Sequence, residues 1–331
     1  MRVPFLISAL VAASVALPAA AQQKPITWNY SPNAPGSAGS AYTIYTQKPF
    51  ADIFAKDTDG RLRLNVHEQL IPGQKVMDAV LDRTVDMGTQ IVLFRAEMAL
   101  LNFVALPFIP LDKLPGMRAE LRPIFRQQVD QAHNAVLLGY GYWAKQRLIT
   151  KHPIRTIADL KGYKIRVHNN ELLMMMKAAG ANPVFLPMTE TYPALQRGVV
   201  DGAVSSLEGI YGNKFHEVVK YVSNWPVGLG SYVWVANKES WKALPKDLQD
   251  RVLKNFEDTY EMATYHGGVR DDVPMQKTME GMGVKFIDPD PASVKEYLKA
   301  TPEVLAEWKK RAGPNADRTL AVINKHLGTN Y

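Results

Sequence analysis

No cysteine occurs anywhere in the 331 residues. That absence excludes disulfides, thiolate metal centres and thiol nucleophiles. It also leaves an N-terminal leader with no residue to carry a lipid. Long apolar runs are missing as well. The strongest beyond the N-terminus, IVLFRAEMALLNFVALPFIP (91–110), is broken by Arg95, Glu97 and Asn102, and does not read as a bilayer span. Blocks of one charge are missing too. The formal net charge is +7, yet Lys and Arg are interspersed with Asp and Glu, without the basic arm of a nucleic-acid binder. This balance supports a solvated basic surface, or mild steering of small anions.

What is present begins with MRVPFLISALVAASVALPAAAQQ. Arg2 supplies a short positive region, Phe5 to Leu17 an apolar stretch too short to span a bilayer, and Ala19 to Ala21 the small residues of a cleavage site. The expectation is an exported chain cut after Ala21 and freely soluble afterwards. Its expected location is the periplasm, with secretion as the alternative. A hydrophobic fraction of 47% supports a sizeable core.

The order of elements predicts α/β layering. PITWNY (25–30) reads as a strand, followed by a helix through Phe50, Ile53 and Phe54 that DTDG (57–60) stops. RLRLNVH (61–67) alternates as a half-buried strand, GQKVMDAVLDRT (73–84) as a helix, and VDMGTQ (85–90) as a strand. The rhythm restarts at NAVLLGYGYW (134–143) and continues through YKIRV, LLMMMKAAG, PVFLP, TETYPALQRG and VVDGAVS to residue 205. One echo stands out. AVLDRTVDMG (79–88) resembles ALQRGVVDGA (194–203), placing Val85-Asp86 and Val200-Asp201 at corresponding points of two similar units. After the strand SYVWVANK (231–238), residues 247–283 are mostly helical, with Gly267-Gly268 as a possible kink. That helix is placed to brace both units.

Enzyme signatures fail on inspection. GYGYWA (139–144) imitates G-x-G-x-x-A, but residues 146–150 look extended where a dinucleotide motif needs a helix. KDTDG (56–60) is too short for a calcium loop. His67-Glu68 and His216-Glu217 each lack the second histidine of a zinc helix. No G-x-S-x-G occurs. Met174, Met175 and Met176 read as a pliable core helix. No cofactor and no metal are expected. Trp143, Trp225, Trp234, Tyr140, Tyr142 and Tyr232 each read as core, and together leave room for a cleft with aromatic walls.

GYKIRVHNN (162–170) poses the open question. Tyr163, Ile165 and Val167 alternate onto one face, and Lys164, Arg166 and His168 onto the other. Arg166 is then either the wet side of an edge strand or a group aimed at an anion.

Residues 162–222 resemble the solute-binding proteins of tripartite ATP-independent periplasmic (TRAP) transporters, the family named after its C4-dicarboxylate binder. DLKGYKIRV, KAAGANPV, ALQRGVVDGA and KFHEVVKYV carry the resemblance, and DGRLRLNVHEQL, AVLDRTVDMG and ALPF extend it upstream. It implies a two-domain periplasmic-binding-protein fold with a hinged cleft and a long bridging helix. The expected divisions are a leader at 1–21, domain I at 22–144 plus 232–271, and domain II at 145–231 plus 272–331. It implies that Arg166 holds a small organic carboxylate and that Arg147, in AKQRLIT, adds charge. After VVDG the family commonly has Gln-Glu-Asn-Pro; here Ala203, Val204, Ser205 and Ser206 stand, so the asparagine contact falls on Ser205. Met188 stands where phenylalanine is frequent. Gln69 is expected to offer a neutral hydrogen bond and Trp143 an aromatic wall. The implied partner is a TRAP membrane permease, and the protein is expected to be monomeric. The rivals are a binding component of an ATP-driven importer and an exported α/β enzyme.

Export makes a direct prediction. Intact-mass measurement of protein from a periplasmic fraction should give a chain starting at Gln22 and carrying no lipid. A full-length chain in the cytosol would contradict it.

Overall fold

The structure, a computed structural model, describes residues 24–33, 41–68, 70–92 and 95–331. The expected leader and Gln69 lie outside the described residues. The strands are β1 Ile26–Ser31, β2 Leu62–Val66, β3 Met87–Ile91, β4 Ala135–Thr150, β5 Lys164–Val167, β6 Asn182–Phe185, β7 Gly202–Ser206, β8 Tyr221–Ser223, β9 Leu229–Asn237 and β10 Lys285–Ile287. They run in the order β2-β1-β3-β9-β4-β7-β5-β6, with β8 and β10 branching from β4.

This order contains the same parallel unit twice. β1 lies between β2 and β3, as β5 lies between β6 and β7, and helices make the connections. The registers match residue for residue: Ser31 sits opposite Gly88 as Arg166 sits opposite Ala203. The echo in the sequence is therefore structural. Arg83 and Gly198 both turn left-handed, at φ 65° and φ 74°. Asp86 donates its N–H to the Asn29 carbonyl at 2.9 Å and accepts from the Asn29 N–H at 2.9 Å. Asp201 repeats the clip on Lys164, at 2.7 and 3.2 Å. Each aspartate pins its strand to the neighbouring one.

The two halves meet through β4. Its first part pairs antiparallel with β9, and its second part with β7 and β8. The register shifts between Tyr142 and Lys145, where the strand passes from one half to the other. No helix opens after Gly141, which disposes of the dinucleotide motif. The glycines of GYGYWA make room for rings instead: a Cβ on Gly139 would lie 2.8 Å from Phe256, and one on Gly141 would lie 2.4 Å from Tyr232. Trp225, Trp234, Tyr140 and Tyr232 are core, and so are Met175 and Met176.

The long helix, Glu261–Gly281, remains helical through Gly267-Gly268 and Pro274. Glycine weakens a helix without removing its hydrogen bonds, so the pair alone does not break this one. The departure from α geometry falls just before it, as a π turn at Phe256–Tyr260. The helix is fastened to β4 at two levels. Glu261, buried, takes Arg118 at 3.2 Å, Arg122 at 2.8 Å and the Tyr140 N–H at 3.1 Å. Eleven residues further along, Asp272 takes Arg147.

Glu261→Ala should leave Arg118 with the Glu257 carbonyl and Arg122 with the Glu257 carboxylate at 3.5 Å, and the Tyr140 N–H without its acceptor. Unfolding in urea should show a loss of about 1–3 kcal/mol, the cost of a buried N–H left unsatisfied. A loss under about 0.5 kcal/mol would mean the carboxylate does not hold the helix.

Candidate ligand-binding site

β5 places Arg166 and His168 on the face opposite Ile165 and Val167, as the alternation predicts, but that face is not wet. Arg166 is 3% exposed and His168 8%. Two carbonyls fix the guanidinium. Its Nε donates to Leu186 at 2.9 Å, at the end of β6, and its Nη1 donates to Val204 in β7 at 3.0 Å. His168 Nδ1 lies 3.4 Å from Nη1. Nη2 has no acceptor among the described residues. Burial alone lowers the arginine pKa, to about 10, and no carboxylate contributes to offset it. Burying a charge without a counter-ion costs several kcal/mol, and no counter-ion stands beside this one among the described residues.

His168 was not among the expected contacts, although its spacing of two from Arg166 puts it on the same strand face. Burial, and then the neighbouring Arg166 charge, depress its pKa to about 3. The imidazole is therefore neutral near pH 7, and its Nδ1 is free to accept from the guanidinium rather than repel it.

Ser205 follows Val204, whose carbonyl accepts from Arg166. It is buried and sits opposite Arg147 across β4 and β7. Its Oγ would be 2.3 Å from a Cβ on Gly209, so glycine there gives the hydroxyl its space. The adjacent Ser206 is spent on structure: its Oγ caps the Gly209 N–H at 3.1 Å. Met188 opens the helix Met188–Arg197, two residues after the carbonyl that holds Arg166, and is half-buried. Trp143 stands half-buried at the β4 register shift, with ring centroids 5.8 Å from Tyr42 and 5.4 Å from Tyr232.

Arg147 is differently placed. Its Nη1 and Nη2 grip both oxygens of Asp272 at 3.0 and 2.5 Å, and its Nε donates to Asn224 at 2.8 Å. Its charge is answered from within the protein. Nothing local in the sequence signals that partner, which stands 125 residues away.

A family profile for the bacterial extracellular solute-binding proteins, family 7 (DctP), matches residues 35–311. The chain belongs to that family. The C4-dicarboxylate-binding periplasmic protein DctP of Rhodobacter capsulatus is 24% identical over 94% of this chain and 92% of its own length. Among solved structures, DctP7 of Bordetella pertussis, an extracytoplasmic solute receptor binding pyroglutamic acid, superposes with a TM-score of 0.79 at 22% identity, covering 89% of this chain and 98% of its own. A TRAP periplasmic solute-binding protein from Bordetella bronchiseptica, with bound (R)- and (S)-mandelate, gives 0.79 at 22% identity over 92% and 99%. These likenesses establish the α/β two-domain fold of TRAP solute receptors. No helix among the described residues is long and apolar enough to cross a membrane.

The buried neutral imidazole predicts a pH effect on the ligand-free protein. Between pH 6.5 and about 3 the unfolded chain binds a proton at residue 168 that the folded chain does not. Stability should therefore fall as pH drops through that window, by about 1.4 kcal/mol per unit at most. His168→Gln should remove that part of the slope in urea titrations at successive pH values. Equal slopes in the two proteins would contradict it.

Proposed function

We propose that this family member captures a small organic carboxylate on Arg166 and delivers it to a TRAP-type membrane permease. The observation that carries the reading is the buried guanidinium held by carbonyls, with no acid beside it. Nη2, which has no acceptor among the described residues, can donate to the carboxylate, and a second, parallel bond would take the Nη1 hydrogen now turned toward His168. Ser205 supplies a neutral hydrogen bond, Met188 and Trp143 supply apolar contact, and Arg147 works mainly by holding the long helix. The moving bodies are taken to divide at 144/145, 231/232 and 271/272, a reading supported at the first by the register shift of β4 between Tyr142 and Lys145. Ligand bridging the halves favours the closed population.

Export to the periplasm, with removal of residues 1–21, suits a receptor that meets its ligand outside the inner membrane. It works as a monomer and performs no chemistry. The family membership disfavours the ATP-driven importer and the exported enzyme.

Removing Arg166 tests the reading. Arg166→Ala should cost about 2–5 kcal/mol of binding, roughly thirtyfold or more in affinity, and Arg166→Lys should recover only part. Both variants should fold, since the ligand-free protein gains little from an uncompensated buried charge. Calorimetry with the acid that co-purifies with the wild type decides the matter. Wild-type affinity in Arg166→Ala would overturn the assignment.

A further inference from the structure

Resting on the carboxylate reading, we infer that His168 is a ligand contact whose Nε2–H donates to a second oxygen of the ligand. The site then prefers acids with a hydroxyl or carbonyl oxygen on the carbon next to the carboxylate. The inference follows from where the strands place this histidine and from which of its nitrogens is already used.

The registers set the placement. Arg166 lies opposite Ala203 in the parallel pair β5 and β7, and Arg147 lies opposite Ser205 in the antiparallel pair β4 and β7. Residues directly opposite each other share a sheet face, as do residues two apart along a strand. Arg166, Ser205 and Arg147 therefore share one face. Continuing the register by two residues past Arg166 and Ala203 brings His168, just beyond the end of β5, level with Ser205. The turn there does not need a histidine. Asn169 caps the following helix, Asn170–Ala178, by accepting the Leu172 N–H at 2.7 Å.

The hydrogen bonds set the chemistry. A neutral imidazole has one N–H. Nδ1 of His168 faces Arg166 Nη1 at 3.4 Å, and a guanidinium offers only hydrogens, so Nδ1 supplies its lone pair and the proton sits on Nε2. A carboxylate that shares the Nη1 hydrogen leaves this tautomer unchanged. Nε2 has no acceptor among the described residues, and neither has Arg166 Nη2. Neither nitrogen is sealed from water; the described nitrogens that are both sealed and unpartnered lie elsewhere, His133 Nε2 and Arg122 Nε among them. Two open donors thus stand on adjoining side chains. One is cationic and suits a carboxylate, and the other is neutral and suits a hydroxyl or carbonyl oxygen. Nε2 lies only the width of the ring beyond Nδ1, so the second oxygen belongs close to the carboxyl carbon. The Ser205 hydroxyl, level with His168, can donate to that oxygen or accept from it.

Mass spectrometry of acids released from the purified protein, together with calorimetry on matched acids, provides the test. Lactate and pyruvate are compared with propionate, and mandelate with phenylacetate, so that only the oxygen next to the carboxylate differs. The released acid should carry an oxygen on that carbon. The oxygenated acid of a set should bind about five- to tenfold more tightly than its partner, the effect of one neutral hydrogen bond. In His168→Phe, checked for folding by its melting transition, the members of a set should bind within about twofold of each other. His168→Gln keeps an N–H donor and should retain part of the preference. A released acid without that oxygen, or lactate, pyruvate and mandelate all binding no tighter than their partners, overturns the inference and leaves the Arg166 assignment standing. So does an unchanged ratio in folded His168→Phe, since a histidine that merely props Arg166 would weaken both members alike. A released ligand without any carboxylate removes both.

Discussion

A guanidinium taken out of water without an acid beside it is the constraint on which the rest of this structure depends. Carbonyls of Leu186, just past β6, and of Val204, in β7, grip Arg166. Those contacts partly replace water but cannot neutralise a charge, so the cost of burial remains in the ligand-free protein. The parallel packing of β5 between β6 and β7 serves this arrangement. It brings both carbonyls to the strand's carboxyl end, where open α/β sheets meet their ligands.

Arg147 shows the opposite solution in the same half of the protein. Its bidentate grip on Asp272 costs desolvation on both sides, but it ties the long helix to β4. Glu261 makes the corresponding tie on the other side of the register shift. One arginine thus has its counter-ion within the framework, and the other has none among the described residues. Their side-chain chemistry is identical, and one aspartate separates their surroundings.

Much of this was legible in the sequence. The alternation in YKIRV placed Arg166 opposite the core, and the repeated Val-Asp located the clips that order both parallel units. Three-residue strands such as β8 and β10 were not legible, because so short a run has no period to read. The helix Leu114–Ala132 is obscured by Pro123 in its interior. Gly267-Gly268 promised a kink that the helical ladder overrides. Within the site, the alternation could signal His168, while the Asp272 partner of Arg147 could not be found. A contact across 125 residues exists only once the long helix has crossed β4.

The matched units also carry an asymmetry, Ser31 in one and Arg166 in the other. On the carboxylate reading, the buried cation that answers the acid lies in one unit, and the matching position of the other offers only a hydroxyl. Salt then acts on how fast an anion meets the basic surface as a whole, +7 in formal charge, while loss of Arg166 shortens how long the ligand stays. A duplicated framework has in this way kept one strand pattern and given its two copies different side chains.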